Sequence, residues 1–218
     1  SVVKKMGAGR FMVAIDNIED CVTKYSYGNP AWAEVDPAHR GRFTTKDFEL
    51  LSPLLERQSY ITDTCTWHKG DPEPTVDLDE FRSVLFRGFE GNYVEAYHRT
   101  FNLPFTIADY DATWLEADPI ITKPIVVCRT ARYRSIEPQA TAAHMQMGID
   151  GDLENNGIFV GTPAEHEEYV RTTNIKIPYY HSKDFLELAG VIAGANLVVA
   201  NQNFVYSLAM GLGKPTVL

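Results

Sequence analysis

Three arginines, Arg129, Arg132 and Arg134, fall within six residues directly after the apolar run Ile125-Val126-Val127-Cys128. Guanidinium groups present forked donors that match phosphate oxygens through charge-assisted hydrogen bonds, so this cluster reads as a place for a diphosphate, with a solvated basic loop as the plain alternative. Gly161-Thr162, followed by Glu165, Glu167 and Glu168, sets a glycine turn ahead of an acidic helix. Glu165, nearest the turn, is the carboxylate suited to ribose hydroxyls, and the other glutamates read as helix surface. Asn201-Gln202-Asn203 stands between an apolar run and a helix, where amides cap the helix and donate to a phosphate or sugar. Gly7-Ala8-Gly9, followed by Arg10, is either a turn that lets a ligand approach the backbone or a tight turn and nothing more. Its G-x-G spacing lacks the third glycine and the later acidic residue of a dinucleotide fingerprint. His166-Glu167 lacks the second histidine of HExxH, and Cys21, Cys65 and Cys128 show no CxxC spacing. No metal site is therefore expected.

Such residues act together only if a scaffold brings them to one edge. In parallel sheets ligands gather beyond the carboxyl ends of the strands, where loops meet helix N-termini. Val2-Val3 reads as a short strand, Gly7 to Gly9 as a turn, and Phe11, Ala14, Ile15, Ile18 and Val22 fall at helical spacing. Thr44 and Asp47 form a capping-box pattern ahead of Phe48 and Leu51, and Pro53 is expected to break or bend that helix. Tyr60 to Trp67 is strand-like and Gly70 to Pro74 a loop. Gly91 to Asn102 is helical, with Tyr93, Ala96, Tyr97 and Phe101 on one face. Leu103 to Pro124 is irregular and serves as a linker, with the domain boundary near Asp118. Beyond it, Ile125 to Cys128, Gly157 to Gly161, Leu197 to Ala200 and Thr216 to Leu218 read as strands. The intervening helices run from Pro163 to Arg171, from Asp184 to Gly194 and from Asn203 to Leu212, the last closed by Gly213 with Pro215 beyond. This alternation predicts an α/β fold of two Rossmann-like α/β/α domains with parallel sheets, residues 1–118 and 119–218.

The segments IVVCRTARYRS, GIFVGTPAEHEEY, IPYYHSKDFLELAGVIAGANLVVANQN and SLAMGLGKPTVL, in that order, make Ile125 to Leu218 resemble the second half of the heptosyltransferase-like GT-B glycosyltransferases, glycosyltransferase family nine. The most specific stretch is Asp184 to Pro215, an aspartate-leucine helix, a strand, a polar turn and an alanine-rich helix ending in glycine-lysine-proline. In the first half, GAGRFMVAIDNI stands where the family has a glycine-aspartate turn leading into a helix.

The resemblance implies transfer of a sugar, usually heptose from ADP-heptose, to an acceptor hydroxyl across a cleft between two Rossmann domains. It implies no catalytic metal and no cofactor beyond the nucleotide-sugar donor. A carboxylate deprotonates the acceptor while amides and cations stabilise the departing diphosphate. Arg10 stands at the position of the family's base aspartate, and Asp16, where the family has proline, is the carboxylate available to replace it. Gln202 stands at the acidic position of the polar turn and Ser207 at its histidine position. Arg129, Arg132, Arg134, Gly161, Thr162, Glu165 and Asn201 to Asn203 are thus the expected donor residues, and Gly7, Gly9 and Tyr97 the expected acceptor side. Tyr93, Tyr97 and His98 otherwise read as ordinary helix packing. The family continues past the position of Leu218, so a compact or truncated version is expected, its cleft more open or completed by a second subunit of a homo-oligomer.

With 44% hydrophobic and 22% charged residues among 218, no run of membrane-spanning length and no apolar leader in SVVKKMGAGR, the expected location is the cytoplasm, without membrane insertion. A net charge of -9 opposes phosphate backbones and disfavours nucleic acid as a partner while permitting a local basic pocket. Two rival functions remain beside sugar transfer. One is a binding module that holds a nucleotide or nucleotide-sugar without turnover, motivated by Arg10 and Gln202. The other is glycosylation of modified nucleic acid, which the net charge counts against. Nothing in the sequence specifies the acceptor.

Overall fold

Strand pairing begins in this chain where the residue pattern predicts a helix. The computed structural model describes residues 2–15, 43–68, 70–85, 89–130 and 150–218, and the chain divides into two units, Ser1–Ala112 and Thr113–Leu218. In the first unit Val2–Met6 is a short helix, α1, and Gly9–Ala14 a strand, β1, which reverses the strand and helix expected on either side of Gly7 to Gly9. The partner explains the reversal. β1 pairs in parallel with β2, Ile61–Trp67, whose β-branched residues favour extended backbone, and Gly9 lies opposite Ile61 and Ala14 opposite Trp67. A short apolar run such as Phe11 to Ile15 fits either period, and tertiary pairing decides. Ile18 and Val22 lie outside the described residues.

Parallel strands need a crossover connection, and here it includes α2, Thr45–Glu56. The expected capping box is present, with Thr44 N donating to Asp47 Oδ2 at 2.8 Å and Asp47 N to Thr44 Oγ1 at 3.3 Å. Pro53 does not break the helix. It withdraws only its own N–H, while Arg57 N and Gln58 N close the last turn on Pro53 O and Leu55 O, and the buried Gln58 Nε2 donates to Leu54 O at 2.7 Å. Farther on, Phe81–Leu85 forms α3 and Tyr93–Thr100 forms α4, the latter capped by Asn92 and Glu95. The Tyr97 ring stacks on Phe81 at 4.1 Å, and His98 is buried with Nδ1 donating to Val94 O at 2.8 Å.

The second unit contains β3 (Ile125–Cys128), α5 (Asp150–Asn156), β4 (Gly157–Val160), α6 (Pro163–Thr173), β5 (Tyr179–Tyr180), α7 (Phe185–Gly194), β6 (Leu197–Ala200), α8 (Phe204–Gly211) and β7 (Thr216–Val217). The strands form one sheet in the order β5-β4-β3-β6-β7, and every pairing is parallel. Val126, Val127, Phe159, Val160 and Val198 are at most 1% exposed, as expected of strands covered on both faces. The first strand of the unit is thus central, and the chain winds outward to one edge and then to the other. The order reverses between β3 and β6, which makes the gap beyond their carboxyl ends the topological switch point of a doubly wound sheet.

Residues 113–124 are strapped to this unit. Trp114 N and Leu115 N both donate to Gly211 O at 2.8 Å, and Ile120 N donates to Gly190 O at 2.9 Å. The strap comes this close because the helices present glycine to it. A Cβ on Gly190 would meet Asp118 O at 2.9 Å, and one on Gly211 would meet Leu115 Cδ1 at 2.7 Å. Among the described residues no helix is long and apolar enough to cross a membrane.

Candidate functional site

At the switch point the polar side chains beyond β6 reach across to the end of β3. Asn201 Oδ1 accepts from Thr130 N at 3.1 Å, and Asn201 Nδ2 donates to Thr130 O at 2.8 Å. Asn203 Nδ2 donates to Asn201 Oδ1 at 2.9 Å and to Cys128 Sγ at 3.2 Å, while its Oδ1 caps α8 by accepting from Tyr206 N at 3.1 Å. Gln202, between them, is exposed, and Arg129, between Cys128 and Thr130, is half-buried. The network therefore joins the beginning of the arginine loop, the end of the central strand and the N-terminus of a helix.

One strand over, Gly161 takes φ +140°, a conformation that favours glycine, and turns the chain from β4 into α6. Thr162 and Glu165 complete a capping box, with Thr162 N and Oγ1 donating to Glu165 Oε2 at 2.8 and 2.9 Å and Glu165 N to Thr162 Oγ1 at 3.3 Å. One carboxylate oxygen of Glu165 is thus committed to its own helix. Tyr179 adds a bond across the edge, its hydroxyl donating to Gly161 O at 2.9 Å. Burial pushes the Cys128 thiol up to about 12, the Glu165 charge adds to that, and the Asn203 N–H partly opposes it. Burial first and Glu165 second also raise the Tyr179 phenol.

The three helices that start beyond β4, β5 and β6 differ in charge. α6 carries Glu165 in its first turn, and α7 carries Glu187 behind the N-cap Asp184. α8 carries no acid in its first turn and is capped by a neutral amide. A helix N-terminus behaves as roughly half a positive charge and favours anions. Of these three helices, α8, which follows the strand paired with the one that leads into Arg129, is the one whose first turn holds no carboxylate.

Arg129, Gly161, Thr162, Glu165, Asn201, Gln202 and Asn203 all lie on the carboxyl side of this sheet, whereas Arg132 and Arg134 lie outside the described residues. Gly7, with φ +100°, and Gly9 lead into the amino end of β1, so the turn does not pass from a strand into a helix. Arg10 is opposite Asp63 in the ladder, and its Nε lies 2.9 Å from Asp63 Oδ2. Asp16 is outside the described residues. Tyr97 belongs to the ring stack on α4 already described. Local pattern does not single out Thr130 or Tyr179, and only the facing of β3 with β6 and of β4 with β5 reveals them.

Neither a protein-family model nor a curated protein matches the sequence. Among solved structures the chain is similar to the glycosyl transferase family 9 structure from Veillonella parvula DSM 2008, with TM-score 0.50 and 12% identity over 99% of this chain and 81% of that one. At that identity the likeness is one of architecture: this chain has a mixed α/β fold with parallel sheets, similar to that of a GT-B-like glycosyltransferase.

Proposed function

We propose that the chain is a glycosyltransferase that moves a sugar from a nucleoside diphosphate donor to an acceptor hydroxyl without a catalytic metal. The observation that carries this reading is the edge at the switch point, where Arg129 and the acid-free N-terminus of α8 stand beside each other at the carboxyl ends of β3 and β6. Developing charge on a leaving diphosphate is stabilised by fixed donors of this kind, which need no reorganisation as the bond breaks. Arg132 and Arg134, three and five positions farther along the sequence than Arg129, add cations, and the turn at Gly161 with the second carboxylate oxygen of Glu165 offers contacts for a ribose. In this reading residues 119–218 hold the donor and residues 1–118 serve the acceptor. Asp16, two positions after the end of β1, is the base. Arg10, paired with Asp63, has a carboxylate to answer and supplies no proton acceptor.

Calorimetric titration with ADP, UDP, GDP and their sugar conjugates tests the donor site. One diphosphate series should bind saturably, and Arg129→Ala and Arg132→Ala should each weaken it by about tenfold or more, the scale of a lost charge-assisted hydrogen bond. Absence of binding by folded protein would remove the donor site and the transferase reading with it. A second reading, a module that binds nucleotide-sugar without turnover, is favoured by the ion pair that occupies Arg10. Donor hydrolysis or transfer that disappears in Asp16→Ala would exclude it.

A further inference from the structure

The side-chain amide of Asn201 is fully occupied inside the protein. Oδ1 accepts from Thr130 N at 3.1 Å and from Asn203 Nδ2 at 2.9 Å, while Nδ2 donates to Thr130 O at 2.8 Å and to Thr130 Oγ1 at 3.3 Å. A primary amide has one acceptor oxygen and two N–H donors, and each is used here. The backbone ladder between β3 and β6 ends at Cys128 opposite Ala200. Asn201 continues that pairing one step beyond the sheet with its side chain, gripping both the N–H and the C=O of Thr130 as a neighbouring strand would. The residue between the last ladder pair and this grip is Arg129, so its backbone is held on both sides. Asn203 adds a bond to Cys128 Sγ and ties the arrangement to the first turn of α8.

We infer that Asn201 is a positioning residue. By fixing Thr130 it sets the direction in which Arg129 leaves β3 relative to the start of α8, so that the guanidinium and the helix N-terminus meet the same diphosphate. This inference rests on the donor-site reading of this edge and changes one part of it, because Asn201 then acts through Arg129 and not by touching the ligand.

The test uses the full chain and whichever of ADP, UDP and GDP it binds. Dissociation constants are measured for the unsubstituted protein, Asn201→Ala, Arg129→Ala and the double variant, with melting curves for each. Asn201→Ala should weaken binding about tenfold, and in the Arg129→Ala background it should have almost no further effect, since the direction of an absent side chain no longer matters. Asn201→Asp supplies a readout that general support of the fold does not move. Its ionised carboxylate still accepts from Thr130 N but cannot donate to Thr130 O, whereas the protonated acid regains one donor for Thr130 O beside its acceptor oxygen and lacks only the amide's second N–H, the one on Thr130 Oγ1. Its binding deficit relative to the unsubstituted protein at the same pH should therefore close as pH falls from about 7 toward the carboxyl pKa of about 4.

Equal binding by Asn201→Ala, a full tenfold further loss in the Arg129→Ala background, or an Asn201→Asp deficit independent of pH would each overturn the inference while leaving the donor site intact. Failure of the unsubstituted protein to bind any of the three nucleotides is a different result, and it overturns the donor reading and this inference together.

Discussion

Cys128 ends β3, buried and accepting from Asn203 Nδ2, with its thiol pushed up to about 12. The thiolate is the reactive form of cysteine, so this residue should be chemically silent despite its place at the ligand edge. In a variant carrying Cys21→Ser and Cys65→Ser, iodoacetamide at about pH 8 should modify the denatured chain fully and the folded chain only as fast as it opens. Fast labelling of folded protein would contradict the buried placement. An unfolded thiol ionises near about 8.5 and the folded one only near about 12. The contribution of Cys128 to stability is therefore complete below about pH 8 and declines as the pH rises between those two values. The sequence reveals part of this site and conceals part. A polar run after an apolar one marks Asn201 to Asn203 as a turn before a helix, and Asn203 indeed caps α8. That Asn201 faces Thr130, 71 positions earlier, depends on which strands are neighbours, and local pattern does not encode that.

Helix ends are the most legible elements of this chain, because a cap is a local exchange of hydrogen bonds between residues three apart. Thr44 with Asp47 forms the expected reciprocal box, and Thr162 with Glu165, read from the sequence as a ligand turn, forms another. Asp184 caps α7, but Glu187 turns its side chain elsewhere, accepting from Lys183 N at 2.7 Å and from the Tyr180 hydroxyl at 2.9 Å. The sequence of β1 suggests a helix because its apolar spacing fits both periods and its partner β2 lies about fifty residues away. The glycines of α7 give a test at this scale. In an exposed helix, Gly→Ala gains about 1 kcal/mol of propensity. At Gly194, however, the added Cβ collides with the backbone carbonyl of Ile120. Overpacking of this kind costs about 1–3 kcal/mol. Gly194→Ala should therefore lower stability, read as an earlier urea midpoint with an unchanged slope, and a later midpoint would show that the strap moves aside freely.

At the scale of the whole chain, alternation of strands and helices in the second half announces a parallel sheet, but the order β5-β4-β3-β6-β7 does not follow from alternation alone. Nor does the pattern show that residues 113–118 pack against the helices of the second unit. Because Trp114 and Leu115 bond to Gly211 and Leu115 is buried, residues 113–218 expressed alone should melt as one cooperative unit. The piece 119–218 should melt at a lower temperature or without a sharp transition, and equal melting of the two would show that the strap adds nothing. The central position of β3 also bears on how the molecule is made. The strand synthesised first in this unit pairs on both sides with strands made later, and Ile125 must wait for Leu197, 72 residues on, before its second neighbour exists. At ribosomal speeds of about 5–20 residues per second that is roughly 4–14 s, during which one of the most apolar segments of the chain is without half of its cover. The feature that creates the switch point thus also creates an interval in synthesis when the nascent sheet is open to the wrong partner.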